Sequence, residues 1–120
     1  MPITSSKLFL NDFTVQANIG IHDFEKAGPQ RLLISVEIEV DVPAAPSPDE
    51  IEAVLDYDIL REGILALVGD RHFNLQETLC REIIDLIAGH ASVRSAVVST
   101  RKPDVYPDCA AVGVALTYQR

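Results

Sequence analysis

The sequence is poor in cysteine and has no long apolar segment. Its two cysteines, Cys80 and Cys109, form no CxxC pair, which favours free thiols in the cytoplasm over a disulfide framework. The first residues, MPITSSKLFLNDF, lack the apolar core of a signal peptide, so we expect none. The longest apolar runs, such as ILALVG at 64–69, are much shorter than a membrane span. These absences predict a cytoplasmic protein with no membrane partner.

Positive charge and clustered metal ligands are also scarce. The chain has 10 lysines and arginines against 18 aspartates and glutamates, which gives a net charge of −8. An acidic chain without a basic stripe is a poor binder of nucleic acid. The three histidines, His22, His72 and His90, show no metal-ligand spacing, and the short motifs of nucleotide-binding loops and serine nucleophiles are missing. We therefore expect no metal, no cofactor and no nucleic-acid partner.

What the sequence does have is enough apolar residues for one domain with a core, since 48% of the chain is hydrophobic. Strict alternation over RLLISVEIEVDV at 31–42 predicts a half-buried strand. A weaker strand is predicted at 7–21, and we expect it to pair antiparallel with the first across the loop at 22–30. The proline-rich segment VPAAPSPDE at 42–50 is interpreted as a connection inside this domain.

Two helices and two further strands are predicted after the prolines. Apolar residues at helical spacing predict helices over 56–70 and 74–90. SVRSAVVSTRK at 92–102 and CAAVGVALTYQ at 109–119 predict strands. The predicted apolar faces are Ile59, Leu60, Ile64, Leu67 and Val68 in the first helix, and Leu75, Leu79, Ile83, Leu86 and Ile87 in the second.

The predicted order of elements is therefore ββααββ, an α+β fold in which residues 1–120 form one domain. An antiparallel sheet of this kind takes the helices on one face, so its other face must be solvated or covered by another subunit. The last strand is long and almost uncharged, and such an apolar edge favours pairing with a second chain. We therefore expect a homo-oligomer.

The stretch VVSTRKPDVYP at 97–107 ends an apolar strand on two cations, Arg101 and Lys102, directly before Pro103. A solvated lysine at a strand end is common. However, the X-Pro junction favours extended backbone at Lys102, and strand alternation points Arg101 to the opposite face. A lysine that acts as a base must lose its proton near neutral pH, which requires burial or a neighbouring cation. Lys102 is thus a candidate base, with a solvated surface lysine as the alternative.

Three other polar residues are candidates, each with a structural alternative. Glu77 is predicted to close a capping box with Asn74 at the start of the second helix. It could also accept two parallel N–H bonds from an amidine-like ring edge, and the two roles do not exclude each other. Glu25 is either a solvated loop charge or part of a site. Tyr57, at the start of the first helix, either packs on the sheet edge or serves a site.

Together these residues resemble the bacterial dihydroneopterin aldolase family of folate biosynthesis over nearly the whole chain. In that family a loop glutamate lies five residues before a glutamine that opens the second strand, which is the spacing of Glu25 and Gln30. An L-x-Y segment, an N-L-x-E helix start and a lysine that ends the third strand match Tyr57, Glu77 and Lys102. The stretches that carry the resemblance are IGIHDFEKAGPQRLLISVEIEV (19–40), LDYDIL (55–60), HFNLQETLCREI (72–83) and STRKPDVYPDCAAVGVAL (99–116).

The resemblance implies the tunnelling fold, in which subunits join their sheets into a tetrameric barrel and two barrels commonly stack into an octamer. It implies active sites between subunits and a retro-aldol cleavage of dihydroneopterin, with no metal and no Schiff base. By the same resemblance Lys102 and Glu25 are catalytic, together with Tyr57 from a neighbouring subunit. Glu77 is expected to anchor the pterin ring. The remaining predicted substrate contacts are Leu75, Gln76 and Asp56.

Two other functions stay open. A related dihydroneopterin triphosphate epimerase has the same fold and equivalent residues, and the ending LTYQR resembles it, whereas the Lys-Pro pair resembles the aldolase. A triphosphate requires a basic pocket, which the net charge of −8 disfavours. The second alternative is a non-catalytic pterin-binding subunit, and the retention of all four matched polar residues argues against it. The candidate cations for a triphosphate are Lys26, Arg31, Arg71 and Arg101.

Overall fold

The computed structural model describes residues 2–42 and 48–120. They form one four-stranded antiparallel sheet, in the order β1-β2-β3-β4, with two long helices, and the predicted α+β class is confirmed. Most of the predicted proline-rich connection, 43–47, lies outside the described residues. The strands are β1 (Ser6–Ala17), β2 (Gln30–Val40), β3 (Val93–Lys102) and β4 (Val112–Gln119); the helices are α1 (Asp23–Lys26), α2 (Tyr57–Asp70) and α3 (Gln76–Ala88), with a 3-10 turn at Ile51–Ala53.

Strands β1 and β2 form the hairpin that the alternating pattern predicts. They pair over nearly their whole length, with one bulge in β1 at Asp12, whose φ of 54° is a conformation that aspartate tolerates better than most residues. The connection between them, predicted as a loop, contains the short helix α1. That helix carries Glu25, so the first candidate residue sits on a turn of fixed geometry.

The core lies between one face of the sheet and helices α2 and α3. Two residues predicted on the helical faces are exposed instead, Ile59 at 56% and Leu75 at 47%. Ile59 is one residue, or about 100° of helical rotation, away from the buried Leu60, and Leu75 precedes the helix and does not follow its periodicity. The helix residues that are buried are Leu60, Ile64 and Val68 in α2, and Gln76, Leu79, Cys80, Ile83 and Ile87 in α3.

Helix α3 starts without the predicted capping box. Its N-cap is Leu75, in extended conformation and with no side-chain hydrogen bond to the helix end, so Glu77 is the second helical residue rather than the third. The predicted pairing of Asn74 with Glu77 is therefore wrong. The reason lies just upstream, where Phe73 forms an isolated bridge with Ile19, two residues beyond the end of β1, and the chain stays extended until Leu75.

The face of the sheet away from the helices is largely polar. It carries an ion pair between Lys7 and Glu37 at 2.8 Å, and a second between Arg101 and Asp12. Arg101 thus faces away from the helices while Lys102 faces the other side, as strand alternation predicts. Strand β4 begins at Val112, three residues later than predicted, and it forms one edge of the sheet while β1 forms the other.

Candidate active site

The residues just after β1 contact the segment that leads into α3. The Gly20 N–H donates to the Phe73 carbonyl over 2.8 Å, and the Phe73 N–H donates to the Asn18 carbonyl over 2.8 Å. The ring Nε2 of His72 lies 2.7 Å from the Gly20 carbonyl oxygen. These contacts bring the loop after β1 next to the first turn of α3, where Glu77 lies.

Lys102 and Glu25 form a buried ion pair at the end of β3. The Lys102 Nζ donates to Glu25 Oε2 over 2.7 Å, and the two side chains are only 10% and 5% exposed. Gln30, the first residue of β2, donates from Nε2 to the same carboxylate oxygen over 2.9 Å and to the Ile19 carbonyl over 2.5 Å. The second carboxylate oxygen accepts from the backbone N–H of His22 over 3.4 Å. Lys102 is therefore buried and paired, and the alternative of a solvated lysine at the strand end is wrong.

The carboxyl of Glu25 is held in its charged form against the effect of burial. Burial by itself raises the pKa of Glu25, because it removes water from the carboxylate. The hydrogen bonds from Lys102 and Gln30, the charge of Lys102 and the N–H of His22 act in the other direction and hold the pKa of Glu25 below its ordinary value near 4.5. At neutral pH this geometry stabilises a carboxylate beside an ammonium.

The absence of a side chain at Gly20 leaves room for the Glu25 carboxylate. A Cβ built on Gly20 would overlap the carboxyl carbon and both carboxylate oxygens of Glu25. Its φ of 129° is also a conformation that residues with a side chain rarely adopt. Any other residue here would displace the carboxylate from Lys102. This explains why a glycine stands at residue 20 in the IGIH stretch.

A cavity of about 200 Å³ opens beside the ion pair. Glu77 stands exposed on its α3 wall, and Lys102 is the only lysine or arginine among the described residues that line it, so two carboxylates face one cation there. The other walls come from the loop after β1 and from the turn after β3. The lining residues are Gly20, Ile21, His22, Glu25, Asn74, Leu75, Gln76, Glu77, Lys102, Val105, Tyr106 and Val112.

The structure brings together five of the seven predicted site residues. Lys102, Glu25, Glu77, Leu75 and Gln76 all line the cavity, although the buried side-chain amide of Gln76 is hydrogen-bonded to protein groups at both ends.

Asp56 and Tyr57 do not line this cavity. The Asp56 carboxylate caps α2 by accepting from the Asp58 N–H over 2.9 Å, and Tyr57 is 55% exposed. Tyr106 and Ile21 line the cavity without having been singled out. The signal for Tyr106 was its place in the 97–107 stretch.

A larger depression lies at the opposite end of the sheet, with a volume of about 480 Å³. Its described lining includes Asp41 and Glu52 and contains no lysine, arginine or histidine. The smaller cavity is therefore the one that holds an acid–base pair. Within residues 2–42 and 48–120, no group of three or more histidine, cysteine or acidic side chains is arranged to hold a metal ion. No helix among those residues has the length and apolar character needed to cross a membrane.

The four-stranded antiparallel sheet with two long helices on one face, in the order ββααββ, is the subunit architecture of the tunnelling-fold class, which solved structures share with this chain. Within that class the chain belongs to the dihydroneopterin aldolase family, whose sequence model matches residues 8–117. The resemblance and the fold inferred from the sequence are thereby confirmed.

Relatives with two different activities are similar to this chain. A dihydroneopterin aldolase from Haemophilus influenzae is 26% identical, with 92% of this chain and 93% of that protein covered. A dihydroneopterin triphosphate 2'-epimerase from Pseudomonas aeruginosa is 28% identical, with 96% and 94% covered. Identity alone therefore does not separate the two activities.

Solved structures show the same fold. A Burkholderia dihydroneopterin aldolase bound to guanine superposes with a TM-score of 0.84 at 38% identity, with 97% of this chain and 92% of that chain covered. The Escherichia coli dihydroneopterin aldolase in complex with neopterin gives a TM-score of 0.85 at 24% identity, with 94% and 98% covered.

Proposed function

We propose that this chain cleaves 7,8-dihydroneopterin into 6-hydroxymethyl-7,8-dihydropterin and glycolaldehyde, by acid–base chemistry that uses no metal. The observation that carries the proposal is the buried Lys102–Glu25 pair beside a cavity whose opposite wall presents Glu77. The aldolase names and the guanine and neopterin complexes of its relatives support a pterin-like ligand.

In this proposal Glu77 accepts two N–H bonds from the amino-pyrimidinone edge of the pterin and thereby fixes the ring. Lys102 removes the proton from the side-chain hydroxyl next to the C–C bond that breaks. The bond electrons move into the protonated N5 region of the ring, and glycolaldehyde leaves. A proton returned to the resulting enol, with the help of Tyr57 from a neighbouring subunit, gives the product.

Lys102 can serve as base in this proposal only after its ammonium proton has moved to Glu25. A proton passed from Lys102 to Glu25 leaves a neutral amine beside a neutral acid. Burial disfavours the two charges and so lowers the cost of this neutral pair. Gln30 keeps its hydrogen bond to Glu25 in either state, because a carboxylic acid retains an acceptor oxygen. Glu25 is thus proposed as the proton partner of Lys102.

The test is direct. The purified protein is incubated with dihydroneopterin or with its triphosphate, pterin products are separated, and glycolaldehyde is assayed. Release of equal amounts of hydroxymethyl-dihydropterin and glycolaldehyde from dihydroneopterin is the expected result. Inversion of the side-chain stereocentre of the triphosphate without glycolaldehyde would make the chain an epimerase. Binding without either product would support the non-catalytic alternative.

The charges of the described residues favour the aldolase over the epimerase. Three of the four candidate cations for a triphosphate are already paired with carboxylates. Arg31 contacts Asp104 at 3.1 Å, Arg71 contacts Glu82 at 2.9 Å, and Arg101 pairs with Asp12. The cavity lining adds two carboxylates against one lysine, which repels a polyanion. We therefore expect the unphosphorylated substrate to be preferred.

We further propose that the chain works in the cytoplasm as a homo-oligomer, a tetramer or octamer with sites between subunits. Both cysteines are free, as the cytoplasm favours. Tyr57, Ile59 and Leu75 are large and exposed near the start of their helices, and β1 and β4 leave two unpaired edges in the described sheet. Light scattering at micromolar concentration should give a mass larger than that of a dimer. A stable monomer would contradict both the assembly and the contribution of Tyr57.

A further inference from the structure

A buried hydrogen bond joins the two elements that carry the proposed base and the proposed ring anchor. The Thr100 hydroxyl donates to Gln76 Oε1 over 2.8 Å, and the two residues are 0% and 8% exposed. Thr100 lies two residues before Lys102 on the same face of β3, and Gln76 directly precedes Glu77 at the start of α3. No proton transfer in the proposed reaction uses this bond.

The bond is part of a junction between β3, α3 and β4. The side-chain N–H of Gln76 donates to the Val112 carbonyl over 3.4 Å, and the Cys80 sulfur lies 3.6 Å from the Thr100 hydroxyl. Strand β4 can approach this closely because Gly113 has no Cβ, which would otherwise overlap the Thr100 carbonyl oxygen. Three elements are therefore fixed to one another at the wall of the cavity.

Packing alone does not require polar residues at this point. Valine and a longer apolar side chain would fill the same space without the cost of burying a hydroxyl and an amide. The polar pair adds a defined orientation. The Gln76 amide can hydrogen-bond to Thr100 and to Val112 at the same time in only one orientation. That orientation fixes the rotation of the first turn of α3, on which the Glu77 side chain lies.

We propose that the Thr100–Gln76 hydrogen bond positions Glu77 relative to the Lys102–Glu25 pair, and that Thr100 and Gln76 are positioning residues for the cleavage. This inference rests on the proposed function. It assigns the Gln76 side chain to the protein interior, so that Glu77 alone supplies a side-chain anchor from this turn of the helix.

The test compares variants that differ in the hydroxyl and the amide. Thr100→Val keeps the shape of the side chain and removes the donor, Gln76→Met removes the acceptor, and Thr100→Ser keeps the hydroxyl. Ile87→Val is the control, a buried change about three turns along the same helix. For each, the Kd of 6-hydroxymethyl-7,8-dihydropterin, kcat and the melting temperature are measured on the assembled protein.

We expect Thr100→Val and Gln76→Met each to raise the Kd and lower kcat by about 10-fold, within the loss that a misplacement of about 1 Å produces. Thr100→Ser and Ile87→Val should stay within about two-fold of wild type, and the double variant should be no worse than either single one. Thr100→Val that melts earlier but binds and turns over like Ile87→Val would overturn the inference. Wild-type protein that binds no pterin would overturn the proposed function itself, and this inference with it.

Discussion

The inner and outer halves of the cavity differ in how completely one chain builds them. In the inner half Lys102 and Glu25 are buried, and the half-buried Gln30 supports them from behind. Four hydrogen bonds hold this group together. The outer half, which includes Glu77 and Leu75, is exposed. If the proposed roles hold, a single chain organises the proton-transfer pair in advance and leaves the proposed ring-binding side open. In the proposed assembly, a ligand or a second subunit supplies further contacts to the outer half.

The largest effect is expected when the proposed base of the inner half, Lys102, is removed. Lys102→Met should lower the cleavage rate by about 10²–10⁴-fold, because a positioned general base is lost. Binding of the product pterin should change much less, since the proposed ring anchor, Glu77, lies in the outer half and is unchanged. Single-turnover kinetics measured beside equilibrium binding separate the two effects.

The matched control for Lys102→Met is the double variant Lys102→Met with Glu25→Gln. Loss of one partner of a buried ion pair costs about 3–5 kcal/mol of stability, so Lys102→Met alone should also melt earlier. The neutral glutamine should restore much of the stability without restoring cleavage. Cleavage near the wild-type rate in either variant would remove Lys102 from the mechanism.

In the outer half the corresponding change is Glu77→Gln. It removes one acceptor and presents an unwanted donor to the ring, a cost of roughly 2–4 kcal/mol in pterin binding when the site is closed over the ligand. Stability should stay within about 0.5 kcal/mol of wild type, because the residue is exposed and caps nothing. Calorimetry measures the Kd of the pterin, and thermal melts measure the stability. An unchanged Kd would show that the ring is held elsewhere.

A third change tests whether the Lys102–Glu25 pair depends on the absence of a side chain at Gly20. Gly20→Ala places a methyl group on the Glu25 carboxylate and strains a φ of 129°, which should cost about 1–3 kcal/mol of stability. The rate should fall as well, because the carboxylate must leave Lys102. Gly69→Ala in α2 is the control, since a Cβ there meets no atom within 4 Å. Equal melting temperatures for the two variants would contradict the proposed packing.

The sequence predicted the inner half less well than the fold. Periodicity sufficed for the order of elements along the chain and for both long helices, because burial of one face dictates that pattern. The Lys102–Glu25 contact joins residues far apart in the chain, and only the resemblance, not spacing, suggested it. The predicted capping box is absent because Phe73 pairs with Ile19 just after β1, a long-range contact that local propensity does not record. The roles of all seven predicted site residues stay predictions, and for Asp56 and Tyr57 not even a place at the cavity is seen in one chain.

The last expected effect concerns the hydrogen bond from Gln30 to Glu25, and it is measured through the pH dependence of stability. The pKa of Glu25 is lowered in the folded protein, so its ion pair adds stability above the ordinary value near 4.5, and this contribution is lost as the pH falls through the lowered pKa. Gln30→Leu removes a hydrogen bond to the charged form and raises that pKa. The variant should therefore be less stable than wild type by about 1.5–3 kcal/mol at pH 7.

That difference should shrink as the pH falls from 7 towards 3, because protonation of Glu25 weakens the bond that Gln30 makes in wild type. Thermal or urea unfolding of both proteins across this range measures it. The same substitution made in a Glu25→Gln background is the control, since residue 25 then carries no charge and the difference should no longer vary with pH through this residue. A wild-type to Gln30→Leu difference that is constant from pH 7 to pH 3 would mean that Gln30 supports only the Ile19 carbonyl, and that the inner half holds Glu25 through Lys102 alone.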